Sequence, residues 1–229
     1  MIPAIITIDG PAASGKSSVG RRVARQLDFL LFDTGALYRS VTLAALQRAL
    51  STSDDAAMSE LAATLHIDLI PATIDDGRPY TVLIDGEDVT WAIRSEPVNA
   101  HVSTVSAFPG VREALNKQQR RIAHRGRVVM AGRDIGTVVV PEAPLKIFLD
   151  ASPQVRALRR YAEIQARGED ASLAEILAGV QHRDEIDSTR ATAPLKAADD
   201  AVIINTDDKT IEEVVDAIVQ LARKRNLVE

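Results

Sequence analysis

The sequence predicts an α/β fold: a parallel five-stranded core sheet flanked by helices, with a small antiparallel insert in the middle of the chain. Three observations carry this. Short runs rich in β-branched residues alternate with segments whose apolar positions recur at helical spacing. That rhythm breaks once, between about residues 64 and 92, where two strand-like runs flank a turn-rich stretch. Finally, the 229 residues are 46% apolar without any run of 18 or more, which suits one compact domain and no bilayer span.

Taken in order, Ala4-Ile5-Ile6-Thr7-Ile8-Asp9 reads as a buried strand, and Lys16 to Leu27 as a helix with Val19, Val23 and Leu27 on one face. Phe29 to Phe32 is a second strand and Leu37 to Leu50 an amphipathic helix. His66 to Ile70 and Tyr80 to Ile84 form the insert, joined through Asp75-Asp76-Gly77-Arg78-Pro79. Helices are expected at 96–105 and 109–125, the second opened by Pro109, whose fixed φ suits a first helical turn. Val128 to Met130, Leu145 to Leu149 and Ala201 to Ile204 complete the core strands. Helices at about 153–166, 172–190 and 211–225 fill the remainder.

Net charge is −5, so no broad positive field gathers nucleic acid or an anionic membrane. A small anion held by a local basic pocket stays open. Cysteine is absent, which excludes disulfides, thiolate metal sites and thiol catalysis. Met1-Ile2-Pro3 runs straight into the first strand without a signal-peptide pattern. The expectation is a cytoplasmic monomer with no polymer or membrane partner. The chain has 21 arginines against 6 lysines, so a lone Arg means little, and only those placed by a motif or a shared helix face count.

Gly10-Pro11-Ala12-Ala13-Ser14-Gly15-Lys16-Ser17 matches G-x-x-x-x-G-K-[ST] between a strand and a helix, with Ser18 continuing the first turn. Glycines let main-chain N–H groups turn inward around phosphate, and the helix points its positive end at the same anion. Lys16 reaches the β and γ phosphates, and the Ser17 hydroxyl can ligate Mg²⁺. A match of this kind arises by chance in such a chain about once in a hundred, and here the flanking strand and helix agree. A nucleotide-dependent switch is the non-enzymatic rival. It would need a guanine-reading N/T-K-x-D, and Asn205-Thr206-Asp207-Asp208 lacks the lysine.

Further motifs follow. Asp33-Thr34-Gly35-Ala36-Leu37-Tyr38-Arg39 opens a helix, where Thr34 by itself reads as an N-cap. Phe108-Pro109-Gly110-Val111-Arg112 begins another, and Gly132-Arg133-Asp134-Ile135-Gly136-Thr137 follows the strand at 128–130. Arg183, Asp187 and Arg190 lie at i, i+4 and i+7 on one helix face, a spacing that also suits a solvated salt-bridge ladder. Together with the Gly10–Ser17 loop, in this order and at these intervals, the set resembles bacterial cytidylate kinase over nearly the whole chain.

That resemblance implies a P-loop nucleoside-monophosphate kinase with ATP as donor, Mg²⁺ as helper, and CMP or dCMP as acceptor. It implies Thr34 in the monophosphate pocket and Arg39 on the acceptor phosphate. Ser103, Arg112 and Asp134 are implied at the cytosine edge, Arg133 and Arg190 on acceptor phosphate, and Arg183 and Asp187 at the sugar. Arg156 and Arg160, with Arg159 beside them, are implied on a lid over residues 153–170, the acceptor-binding region spanning about 34–112. Arginine suits such a lid because its planar fork stays charged and grips phosphate through two N–H groups. Family members often carry an acidic residue where this chain has Ala131, leaving the metal's carboxylate partner open between Asp134 and Asp9. Rival acceptors for the same loop are UMP, dTMP and shikimate. The four histidines are scattered, and Trp91 is expected to pack within the insert.

Overall fold

A computed structural model describes residues 3–189 and 192–228. It contains two sheets. Five strands, β1 (Ile5–Asp9), β2 (Leu30–Asp33), β6 (Val128–Gly132), β7 (Leu145–Asp150) and β8 (Val202–Asn205), form the main sheet in the order β2-β6-β1-β7-β8. The pairings of β1 with β7 and of β7 with β8 are parallel, Asp9 standing opposite Phe148. Three short strands, β3 (Ile67–Ile70), β4 (Thr81–Ile84) and β5 (Glu87–Asp88), make the antiparallel insert. The chain divides into two compact units, one from Leu30 to Val128 and one from the residues on either side of it.

In the unit built from both ends of the chain, β1 is buried at every position, its three isoleucines as a strand covered on both faces requires, with Thr7 and Asp9 buried among them. Helix α1 (Lys16–Leu27) turns Val19, Val23, Ala24 and Leu27 inward and ends at Asp28 in the left-handed region, φ 54°. Helix α8 (Ile211–Lys224) packs beside α1 and starts with a full capping box between Thr210 and Glu213. Helices α6 (Pro153–Ala166) and α7 (Leu173–Thr189) pack against each other.

The other unit holds α2 (Gly35–Gln47), α3 (Asp55–Thr64), α4 (Glu96–Val105), α5 (Pro109–Ala123) and the insert. Helix α3 is absent from the sequence reading. Its start signal is Asp54, whose side chain accepts from the Ala57 N–H. Its periodicity is weak because alanines occupy both faces. Helix α2 begins two residues earlier than expected. Gly110 lets α5 approach α3 closely, since a Cβ there would sit 2.3 Å from Ser59 Oγ. The insert is held by Arg78, whose guanidinium binds Asp76 at 2.7–2.8 Å and also Asp88. Trp91 is half-exposed rather than packed inside. Its indole donates to Asp76 at 2.8 Å, and the Arg94 guanidinium lies 5.7 Å from its ring.

Candidate active site

In the first unit, β1 runs directly into the phosphate loop. Gly10 has no room for a side chain: a Cβ would fall 2.2 Å from the Leu149 carbonyl oxygen of β7. Gly15, at φ 94°, caps α1 from a conformation that other residues rarely adopt. Lys16 folds back on its own loop, donating to Pro11 O and, at 3.4 Å, to Ser14 Oγ. Ser17 and Ser18 are exposed in the first turn of α1. Beside them opens a cavity of about 670 Å³, lined by the loop from Ala13 to Val19, by Arg159 and Ala162 of α6, and by Thr206, Lys209, Ile211 and Val214.

Asp9 ends β1 and is 5% exposed. Its Oδ1 accepts from the Ile135 N–H at 2.9 Å, and its Oδ2 from the Gly136 N–H at 2.8 Å. Burial pushes this carboxyl up from its ordinary 3.8 to about 6, against the pull of those two N–H groups; Asp134 raises it further and Lys16 lowers it. With both oxygens given to the main chain, Asp9 is poorly placed as a metal ligand. Residues 135–139 form one π-helical turn whose first carbonyls accept from Val138, Val139 and Val140, starting with Asp134 O.

Arg133 pairs through Nε with Asp187 of α7, not with its neighbour Asp134, which is itself buried. Arg156 is buried. It donates to Ala151 O at 2.9 Å, to Ala12 O of the phosphate loop at 3.2 Å, and through both terminal nitrogens to Asp184. Arg159 binds Thr206 Oγ1 at 3.0 Å and also its carbonyl. Arg160 forms an exposed pair with Glu163. Arg183 is exposed on α7, while Asp187, one turn on, is buried. Arg190 lies outside the described residues.

In the second unit, Thr34 is buried before α2 but makes no cap bond. The Asp33 carboxylate takes the Gly35 N–H instead, at 3.0 Å. Arg39 of α2 donates to Ile93 O at 3.3 Å and to Asn99. Burial lowers its pKa; Asp33 raises it and Arg94 lowers it. A half-buried cation beside a second guanidinium suits an anion. Ser103 is exposed on α4, and Arg112 of α5 is buried, donating to Ser106 O at 3.2 Å with its guanidinium 5.6 Å from the Tyr38 ring.

Thr206, Lys209, Ile211 and Val214 also line the cavity beside the loop, and no sequence motif marks them. Their only local signal is their position at the carboxyl end of β8, where parallel sheets place ligands. The grip of Asp9 on Ile135 and Gly136 joins residues 126 and 127 apart in sequence and has no local signal.

A G-x-x-x-x-G-K-S loop joining a buried parallel strand to a helix, with a cavity at that helix's N-terminus, defines a P-loop nucleotide-binding α/β protein. Comparison narrows the class. The family profile described as Cytidylate kinase matches residues 6–224. A cytidylate kinase from Herpetosiphon aurantiacus is 48% identical over 219 residues, covering 96% of this chain and 94% of its own. One from Limosilactobacillus fermentum is 50% identical, covering 93% and 92%. Among solved structures, an uncharacterized protein from Eubacterium ventriosum superposes with a TM-score of 0.53 at 10% identity, covering 96% of this chain and 98% of its own, which speaks to fold alone. The chain belongs to the cytidylate kinase family.

Proposed function

We propose that the protein transfers the γ-phosphoryl group of ATP to CMP or dCMP, giving ADP and CDP or dCDP. The observation that carries this is likeness to cytidylate kinases at 48% identity over 96% of the chain, phosphate loop included. Full-length likeness of that kind disfavours UMP, dTMP or shikimate as main acceptor, and equally a switch without an acceptor.

Phosphoryl transfer asks little covalent chemistry of a protein and much positioning and charge neutralisation. Gly10 to Ser18 hold the donor phosphates, Lys16 leaving Pro11 O for phosphate oxygen. The cavity bounded by Arg159, Thr206, Lys209, Ile211 and Val214 takes the rest of the ATP. Thr34, Arg39, Arg133 and Arg190 hold the acceptor phosphate, Arg183 and Asp187 its sugar, and Ser103, Arg112 and Asp134 the cytosine edge. A guanidinium, a hydroxyl and a carboxylate supply the donors that O2 and N3 need and the acceptor that the N4 amine needs. Arg156 and Arg160 close over the transferring group and exclude water. A phosphate monoester oxygen is nucleophilic enough at neutral pH to need no general base.

Among the described residues no three acidic or histidine side chains could together hold a metal. Mg²⁺ needs no such cage, because it keeps several waters and binds through phosphates and one or two protein oxygens. The exposed Ser17 hydroxyl fits that demand as the protein oxygen, Asp134 being given to the cytosine edge and the Asp9 oxygens to the main chain. Mg²⁺ bound there supplies neutralisation of donor-phosphate charge.

A coupled ADP-release assay across CMP, dCMP, UMP, dTMP and shikimate tests the reading. Turnover with CMP or dCMP should dominate. Equal rates with CMP and shikimate overturn the acceptor, and ATP binding without acceptor-stimulated turnover overturns the enzyme.

A further inference from the structure

We propose that Asp9 is a positioning residue, whose carboxylate clasps two consecutive main-chain N–H groups and so sets the Arg133–Asp134 turn in register with the phosphate loop. The inference rests on the acceptor-side reading of Arg133 and Asp134 given above.

Asp9 faces two tasks through one residue. Its main chain continues into Gly10, the first residue of the phosphate loop. Its side chain spends one oxygen on Ile135 N and the other on Gly136 N, the two peptide groups immediately following Asp134. Two parallel bonds to adjacent N–H groups fix the orientation of those peptide planes, where one bond would leave them free to pivot. The same turn is pressed onto the sheet from below. A Cβ on Gly136 would lie 3.0 Å from Thr7 Oγ1 of β1 and 3.2 Å from Lys146 Cδ of β7. Asp134 is thereby held with its carboxyl near that of Asp9, and Arg133 is left to reach Asp187.

Burial raises the Asp9 pKa to about 6, with Asp134 opposing and Lys16 favouring its charge, while the two N–H bonds favour the carboxylate. Ionising the group at neutral pH therefore costs the fold free energy relative to its protonated form. A nearly buried carboxylate with both oxygens aimed at adjacent N–H groups of one turn points to a role in setting that turn.

The test is Asp9→Asn, assayed at pH 8, where the CMP phosphate is fully ionised. Asparagine keeps the shape but offers one acceptor oxygen, so one of the two N–H groups meets an NH₂. Positioning predicts a kcat/KM for CMP lowered about tenfold or more, with the KM for ATP within about threefold and the melting temperature little changed. A folded variant whose kcat/KM for CMP stays within about twofold of the parent overturns the proposal, as does an equal loss on the ATP and CMP sides. If the variant does not fold, an amide and arginine-side-chain nuclear magnetic resonance titration of the parent protein between pH 5 and 8 decides. Arg133 Nε–H should shift on the same curve as the Ile135 and Gly136 amides, and a stationary Arg133 overturns the proposal. Absence of CMP turnover in the parent protein strikes the functional reading instead, so the two failures are distinguishable.

Discussion

The buried Arg156 of α6 and the half-buried Asp184 of α7 form a two-point ion pair, and the same guanidinium donates at 3.2 Å to Ala12 O in the phosphate loop. One side chain thus ties the helix pair α6–α7 to the loop. Replacing Asp184 with Ala leaves a buried guanidinium short of its partner, which typically costs about 3–5 kcal/mol. The half-buried setting of Asp184 keeps the expected loss near the lower end of that range. Arg156→Ala should destabilise comparably and also lower kcat. A double-mutant cycle by chemical denaturation checks the coupling; additive single effects are incompatible with the pair as described.

Lys16→Ala should lower kcat by about three orders of magnitude or more, given how much of this chemistry is charge neutralisation. CMP affinity, read by calorimetry, should change little. Lost CMP binding contradicts the assignment of Lys16 to donor phosphate.

On the acceptor side, Arg39→Ala and Arg183→Ala should each weaken CMP by about tenfold or more, the scale of a charge-assisted hydrogen bond to phosphate or sugar. ATP affinity should hold. An unchanged CMP dissociation constant for Arg183→Ala removes that residue from the sugar site.

Asp9 sets a pH dependence whose sign can be worked out. Its folded pKa of about 6 exceeds its ordinary 3.8, so the folded state holds the proton over that interval while the unfolded state releases it. Stability from this group is full below about pH 4 and falls as pH rises through 6, by about 3 kcal/mol in all. Asp68, Asp88 and Asp200 have lowered values and act in the opposite sense. The clean observable is therefore the difference between the parent protein and Asp9→Asn in denaturant midpoints from pH 4 to 7.5. The parent should lose ground to the variant across that range, and parallel curves contradict the assignment.

Gly10→Ala should be strongly destabilising, or should empty the nucleotide site, because its Cβ meets a main-chain oxygen at 2.2 Å that has no flexible end to yield. Thermal unfolding with and without ATP reads both effects. Gly77→Ala is the comparison: its φ of 85° is strained too, but nothing lies within 4 Å.

Much of this was readable from residue types, and the reason differs by element. Strands β1 and β7 announce themselves because both faces are largely covered and short runs of Ile, Leu and Phe dominate them, Thr7, Asp9, Lys146 and Asp150 being the exceptions. The loop at 10–17 is legible because its chemistry fixes four residues at set intervals. Helix α8 is legible from its apolar spacing over 211–225, and the Thr210–Glu213 capping box that starts it is equally local. Helix α3 escaped because its buried positions, Met58, Leu61 and Ala62, are too few to outline a face. The partners of Arg156 are not legible, because helical spacing cannot say that Asp184 and Ala12 lie beside it. Asp9 and the cavity residues after β8 depend on contacts between distant segments, which no window along the chain contains.

The closeness of Gly10 to Leu149 has a bearing on how this chain can change over time. Asp9 stands opposite Phe148 in the β1–β7 ladder, and Gly10 meets the main chain of β7 at Leu149 O. The apolar residues Leu145, Ile147, Phe148 and Leu149 can therefore be exchanged for other apolar ones with little effect on that contact. Adding or deleting a single residue in either strand would slide one rung of the ladder and lift the loop off its floor, so tolerance there is for spelling and not for length.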